Sequence, residues 1–236
     1  MIGMSESFKL HRLQQIDSHL DQTRTRLRAI ETILSDETSM QLANARFEEA
    51  TKLLDDTKKV VRKAEENGKA NKLKLEQTEA ALYGGKIRIP KELQDLQNET
   101  EALKRYRSVL DDRLLEAMIS QEDAEALFTA ASGELEQTTE RISQQNNILL
   151  KEKANLTHDL SRLESERDAA SRSISPGDIS MYDQLRKIKR GVAVATVADN
   201  SCAACGSTLS SAQLHAAKSP NQLTRCESCG RILYGG

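Results

Sequence analysis

Apolar residues recur at alternating steps of three and four along two long stretches of this chain. In the first, residues 7–82, the row passes through Leu13, Ile16, Leu20, Leu27 and Ile30, with Thr23 in step. The phase slips by one position near Ile33 and Leu34. It resumes as Met40, Ala43, Phe47, Ala50, Leu54, Thr57, Val61 and Ala64, and ends on Leu75 and Leu82. This spacing keeps one face of a helix apolar and predicts a coiled-coil seam. No proline interrupts it, and Gly68 is its weak position. The second stretch, residues 91–170, carries two rows. One is Leu93, Thr100, Arg107, Leu114, Gln121, Phe128, Leu135, Ile142, Leu149, Leu156, Leu163 and Ala170; the other is Leu96, Leu103, Leu110, Ala117, Ala124 and Ala131.

Between the stretches lies "LYGGKIRIPKELQDL". Gly84 and Gly85 suit a helix end with left-handed backbone, and Pro90 suits the first turn of a new helix. Two seams of similar length joined by so short a connection predict an antiparallel hairpin. With the turn near residues 86–88, facing residues have numbers summing to about 175, which pairs Leu82 with Leu93, Leu54 with Gln121, Phe47 with Phe128, Met40 with Leu135 and Ile33 with Ile142. Beyond the slip the sum becomes 176, pairing Leu20 with Leu156 and Leu13 with Leu163. Arg107 falls opposite Gly68. Polar seam residues such as Asn71, Gln121 and Gln145 reduce stability but fix register. A parallel dimer of separate coiled coils would show the same seams; the intervening turn favours the hairpin.

After "SISPGD" the stretch "ISMYDQLRKIKRG" reads as a short helix ended by Gly191, and the β-branched "VAVATVAD" reads as a strand. The expected fold is mainly α: a long antiparallel coiled-coil hairpin over residues 1–175, its turn at about 83–90. Residues 176–236 form a short helix and a small C-terminal β zinc ribbon.

Composition agrees with narrow seams rather than a thick core. Of 236 residues only 3% are aromatic, none is Trp, and 30% are charged. The net charge of −2 gives no global attraction to nucleic acid or to an anionic membrane. The opening "MIGMSESFKLHRLQQ" lacks the apolar run of a signal peptide, and no stretch approaches eighteen apolar residues. A cytoplasmic protein without membrane association is the expectation, and there paired cysteines more often hold metal than form disulfides.

All four cysteines lie near the C-terminus, as Cys202-x-x-Cys205-Gly and Cys226-x-x-Cys229-Gly. Two CxxC pairs supply four thiolates for a tetrahedral Zn²⁺ without needing a large core. The Gly after each pair permits a tight bend and frees backbone N–H groups to point at sulfur. The halves repeat further, since Leu209 and Leu233 occupy matching places. One structural zinc ion on Cys202, Cys205, Cys226 and Cys229 is predicted. A full thiolate set leaves no open position for a catalytic water. His215, between the pairs, reads as a solvated loop residue rather than a replacement ligand.

From Arg186 onward seven basic residues stand against Asp199 and Glu227, a net +5, or about +3 with the formal charge of a zinc tetrathiolate. Arg186, Lys187, Lys189, Arg190, Arg225 and Arg231 are therefore candidate nucleic-acid contacts through phosphate. Only Tyr234 could stack on a base, so base readout looks poor. At the hairpin tip, Lys86, Ile87, Arg88 and Ile89 alternate basic and apolar character and are the candidate surface for a protein partner. "GGK" at 84–86 lacks the glycine spacing and preceding strand of a phosphate-binding loop. No catalytic constellation and no small-molecule site is apparent.

With tip and ribbon both read, the chain resembles a bacterial family of coiled-coil proteins ending in a C4-type zinc ribbon. "LYGGKIRIPKELQDLQNE", "YDQLRKIKRGVAVA" and "CAACG…RCESCGRILY" carry the resemblance. It implies a long helical hairpin with the ribbon at its base, zinc on the four cysteines, and roles in nucleic-acid binding or as an adaptor for protein partners. The expected function is a non-enzymatic adaptor that binds protein partners; RNA or DNA binding through the basic ribbon end is the alternative.

Overall fold

The computed structural model describes residues 5–85, 87–220 and 222–236. Among these residues five helices run α1 (Glu6–Leu34), α2 (Thr38–Tyr83), α3 (Pro90–Ser171), α4 (Pro176–Ile188) and α5 (Ser211–Ala217), with short strands β1 (Val194–Ala198), β2 (Ser201–Cys202) and β3 (Ile232–Tyr234). Two compact units result. One is Asp36–Gln145; the other combines Met1–Ser35 with Asn146–Gly236. The sequence boundary at 175 and 176 lies inside the second of these, where Ser175 caps α4.

Within Asp36–Gln145, α2 and α3 form the antiparallel hairpin. The Phe47 and Phe128 rings stand 5.4 Å apart, as the register of 175 requires. Met40 Sδ accepts from Thr139 Oγ1 at 3.8 Å, one turn beyond its expected partner Leu135. Ala43, Ala50, Leu54 and Leu75 are buried from α2, and Leu110, Ala117 and Ala124 from α3. Asn71 is buried too, and its Oδ1 has no hydrogen-bond partner. Arg107 does not fill the space at Gly68: it lies exposed, with Nε 3.7 Å from Asp111 on its own helix, and a side chain built at Gly68 would meet nothing within 4 Å. At the turn, Gly85 has φ +69°, and a Cβ on Gly84 would sit 2.6 Å from the Ala80 carbonyl oxygen. Both glycines are therefore required, for different reasons.

The first long stretch is not one helix. α1 stops at Leu34 and α2 starts at Thr38. Ser35 Oγ donates back to the Thr32 carbonyl, and the Asp36 carboxylate accepts from the Thr38 N–H at 3.0 Å. Short polar side chains thus satisfy the backbone groups that a continuous helix would have used. The one-position slip in the seam marks this interruption. Beyond the break Leu163 packs with Ile16 and Leu20 rather than with Leu13.

Leu13 is instead part of the core of the other unit. Leu10 and Leu13 of α1 meet Ile174, Tyr182 of α4, Ala193, Val194 and Ile232, all at least nine-tenths buried. β1 is the central strand, antiparallel to β2 and parallel to β3. Asp199 and Asn200, both at positive φ, make the two-residue hairpin between β1 and β2. The Gln14 side chain pairs with β1: its Oε1 accepts from the Ala193 and Val194 N–H groups at 2.6 Å each, and its Nε2 donates to the Val194 carbonyl at 2.7 Å.

Candidate metal centre

Each CxxCG segment folds into the same turn because each offers the same backbone donors. The Gly206 N–H donates to the Cys202 carbonyl and the Gly230 N–H to the Cys226 carbonyl, both at 2.8 Å. The two glycines have φ +77° and +75°, left-handed values that return the chain past its own cysteines. The repeat extends outward at a spacing of 24 residues. The Cys202 N–H donates to the Ser207 carbonyl as the Cys226 N–H does to the Arg231 carbonyl, and the Leu209 N–H donates to the Asn200 carbonyl as the Leu233 N–H does to the Thr224 carbonyl. The bridges Ser201–Thr208 and Arg225–Ile232 match as well. The duplication visible in the cysteines is thus a duplicated backbone unit.

The four sulfurs lie within 4.8 Å of one another. The closest pairs join one knuckle to the other: Cys202 Sγ to Cys229 Sγ and Cys205 Sγ to Cys226 Sγ, each at 3.8 Å. A regular tetrahedron with zinc–sulfur bonds of about 2.3 Å has edges of about 3.8 Å. The cluster therefore fits a four-thiolate metal site. As thiols the four are not equivalent. Burial pushes Cys202 up to about 12, while hydrogen bonds with Ser207 bring exposed Cys205 down to about 6. Cys202 and Cys226 are the inner pair, surrounded by Ala195, Leu209, Ala217 and Leu233. His215 lies exposed on α5, outside the cluster.

The basic candidates separate into two groups. Arg186 is held by carboxylates, its Nη2 donating to Asp21 and to the Asp17 carbonyl. Arg231 donates from Nε to the Val192 carbonyl at 2.8 Å and from Nη2 to the Lys189 carbonyl. Lys187, Arg190 and Arg225 are exposed and Lys189 is half-buried. Tyr234 is stacked on His11, ring centroids 4.7 Å apart, and also touches Phe8. At the tip, Ile87 is half-buried while Arg88 and Ile89 are exposed. Lys86 lies outside the described residues.

A buried charge cluster beneath the ribbon escaped the sequence reading. The Asp17 side chain accepts from Tyr182 Oη at 2.8 Å and from Arg167 Nε at 2.7 Å. It ties α1 to the end of α3 and to α4. Burial first, then the Asp17 carboxylate, holds the Tyr182 phenol well above its ordinary range. The signal was available: Asp17 falls on the seam face between Ile16 and Leu20, where a carboxylate needs partners.

Among the described residues no helix is long and apolar enough to cross a membrane. Residues 13–190 match the CT398-like coiled coil hairpin domain and residues 201–233 the C4-type zinc ribbon domain. The chain is 27% identical, over 145 residues, to uncharacterized proteins of two Mycobacterium tuberculosis strains. That alignment covers 61% of this chain and 59% of those relatives, so the chain spans about three-fifths of their length. Its fold is similar to that of CT398 from Chlamydia trachomatis, with a TM-score of 0.71 at 19% identity, covering 98% of both chains. A structure from Mycobacterium smegmatis gives 0.69 at 21%, covering 99% of this chain and 100% of that one. The HP0958 protein of Helicobacter pylori gives 0.51 at 15%, covering 99% of both. The seams that pair in the hairpin, the glycine turn and the duplicated cysteine knuckles are thus the parts of a known design: the chain belongs to the CT398-like coiled-coil hairpin family and carries a C4-type zinc ribbon.

Proposed function

We propose that this chain is a non-enzymatic, cytoplasmic adaptor whose hairpin tip docks a protein partner and whose ribbon holds one structural zinc ion. The supporting observation is the pair of large apolar side chains left in water beside the turn. Tyr83 is 77% exposed and Ile89 54%, and exposed Arg88 adjoins Ile89 in the connection that follows Tyr83. Aromatic and aliphatic anchors beside an arginine are the composition of a protein-binding hot spot. Affinity capture from lysate with the intact chain and with a Tyr83→Ser/Ile89→Ser variant tests this. Loss of a specific partner supports the tip as the contact, whereas an unchanged set of partners removes the tip from the account.

The second reading, RNA or DNA binding, rests on Lys187, Lys189, Arg190 and Arg225, which lie in no ion pair among the described residues. Stacking of Tyr234 on His11 weighs against base recognition. Labelled RNA and DNA titrated at two salt concentrations decide it. Phosphate contacts predict binding that weakens steeply with salt, and no binding at low ionic strength would sink the reading.

A further inference from the structure

Along one side of the α2–α3 hairpin the facing seam residues are small: Ala43, Ala50 and Ala64 on α2, Ala117, Ala124 and Ala131 on α3. Small residues leave the flanking positions standing proud, and two grooves, of about 380 and 620 Å³, follow one another along this side. Leu53 and Leu127 line the first and Val60 the second. They are 44%, 55% and 57% exposed. The ends carry opposite charge. Arg46, Glu49 and Glu134 give a net −1 at one end; Lys63, Arg113 and Glu116 give a net +1 at the other. Among the described residues Glu49, Arg113 and Glu116 are in no ion pair, although Arg46 bridges Glu134 at one end and Lys63 bridges Glu66 at the other.

We propose that this groove is covered by the same groove of a second copy of the chain, packed antiparallel about a twofold axis perpendicular to the helices. That operation swaps the ends, so the net −1 of one copy meets the net +1 of the other. It sets Leu53 against Val60, Leu127 against Ser120, Glu49 against Lys63 and Glu134 against Arg113 of the other copy. The two implied centres lie between Leu53 and Val60 on α2 and between Ser120 and Leu127 on α3. They stand at about one level of the hairpin, because residues 46–53 of α2 and 127–134 of α3 line the first groove together and Arg46 bridges Glu134 across it. The other face-to-face arrangement, with its axis along the groove, would set like ends together. Like charges placed opposite each other suppress an association.

Sedimentation equilibrium of the full-length, zinc-loaded chain, from low micromolar to near millimolar concentration, tests this. The mass is expected to rise from 26.3 kDa toward twice that value. Leu53→Glu/Val60→Glu, at exposed positions, should remain monomeric with unchanged helicity. Lys63→Glu should weaken association at least about tenfold, and the swapped pair Glu49→Lys/Lys63→Glu should restore it. In the wild type a zero-length cross-link between Glu49 and Lys63 reports contact between copies, since on one α2 the two are about 21 Å apart. A monomeric mass at every concentration, or a dimer indifferent to the groove substitutions, overturns the proposal. A charge-swapped variant as weak as Lys63→Glu alone overturns the antiparallel register.

Discussion

Replacing Asp17 by Ala should loosen the unit that contains the ribbon. Asp17 is 1% exposed, and Tyr182, its closest hydroxyl partner, is fully buried. Losing the carboxylate leaves the Tyr182 hydroxyl without an acceptor, which costs about 1–3 kcal/mol. Breaking a buried ion pair costs about 3–5 kcal/mol when the surviving charge is trapped. Here the survivors are not fully trapped. The Arg167 and Arg186 side chains are 31% and 21% exposed and have Asp183 and Asp21 as secondary partners. The combined effect is therefore placed near the low end, about 3 kcal/mol, or roughly a hundredfold in the opening equilibrium. Asp17→Asn retains an acceptor and should cost about half as much. Native-state hydrogen exchange by mass spectrometry, on zinc-loaded protein, reads this in peptides from α1 and α4. Exchange in α4 within about threefold of wild type for Asp17→Ala would refute the assignment of Asp17 as the tie between these helices.

The glycines give opposite expectations by position. Gly68→Ala, mid-helix with open space around it, should stabilise the hairpin by about 0.5–1 kcal/mol; Gly84→Ala should destabilise it by about 1–3 kcal/mol because its Cβ meets the Ala80 carbonyl. Urea unfolding followed by circular dichroism distinguishes the two. Cys226→Ser should abolish stoichiometric zinc binding, and chelation of the wild type should raise hydrogen exchange in β1 and β3 while leaving α2 protected, since the cysteines are themselves the centre of the ribbon core. Tyr182 sets an alkaline limit. Its folded pKa is raised above the ordinary value of 10, so its contribution is complete below about pH 10 and is lost as pH rises further. Tyr182→Phe should flatten that alkaline loss in a stability–pH series.

Periodic and short-range features were legible in the sequence because their geometry is written into residue spacing. The seam placed Phe47 against Phe128, the turn chemistry placed Gly85 and Pro90, and the cysteine spacing placed four sulfurs together. The break at residues 35–37 was only half legible. A phase slip says that register changes, but not whether a helix bends or stops; the stop is made by Ser35 and Asp36 bonding to nearby backbone. Contacts across long sequence separation left weaker traces. Gln14 acts as a strand partner to residues 180 positions away, and nothing in its neighbourhood announces it. The pairing of Arg186 with Asp17 and Asp21, and of Arg231 with backbone carbonyls, likewise depends on which helix lies beside which. Composition could count those cations but not say which were already engaged.

X-ray absorption at the zinc edge, on the full-length protein purified with its metal, examines the ribbon most directly. Four sulfur neighbours at about 2.3 Å around a single ion per chain are predicted. A nitrogen or oxygen neighbour replacing one sulfur would contradict the closed four-cysteine centre.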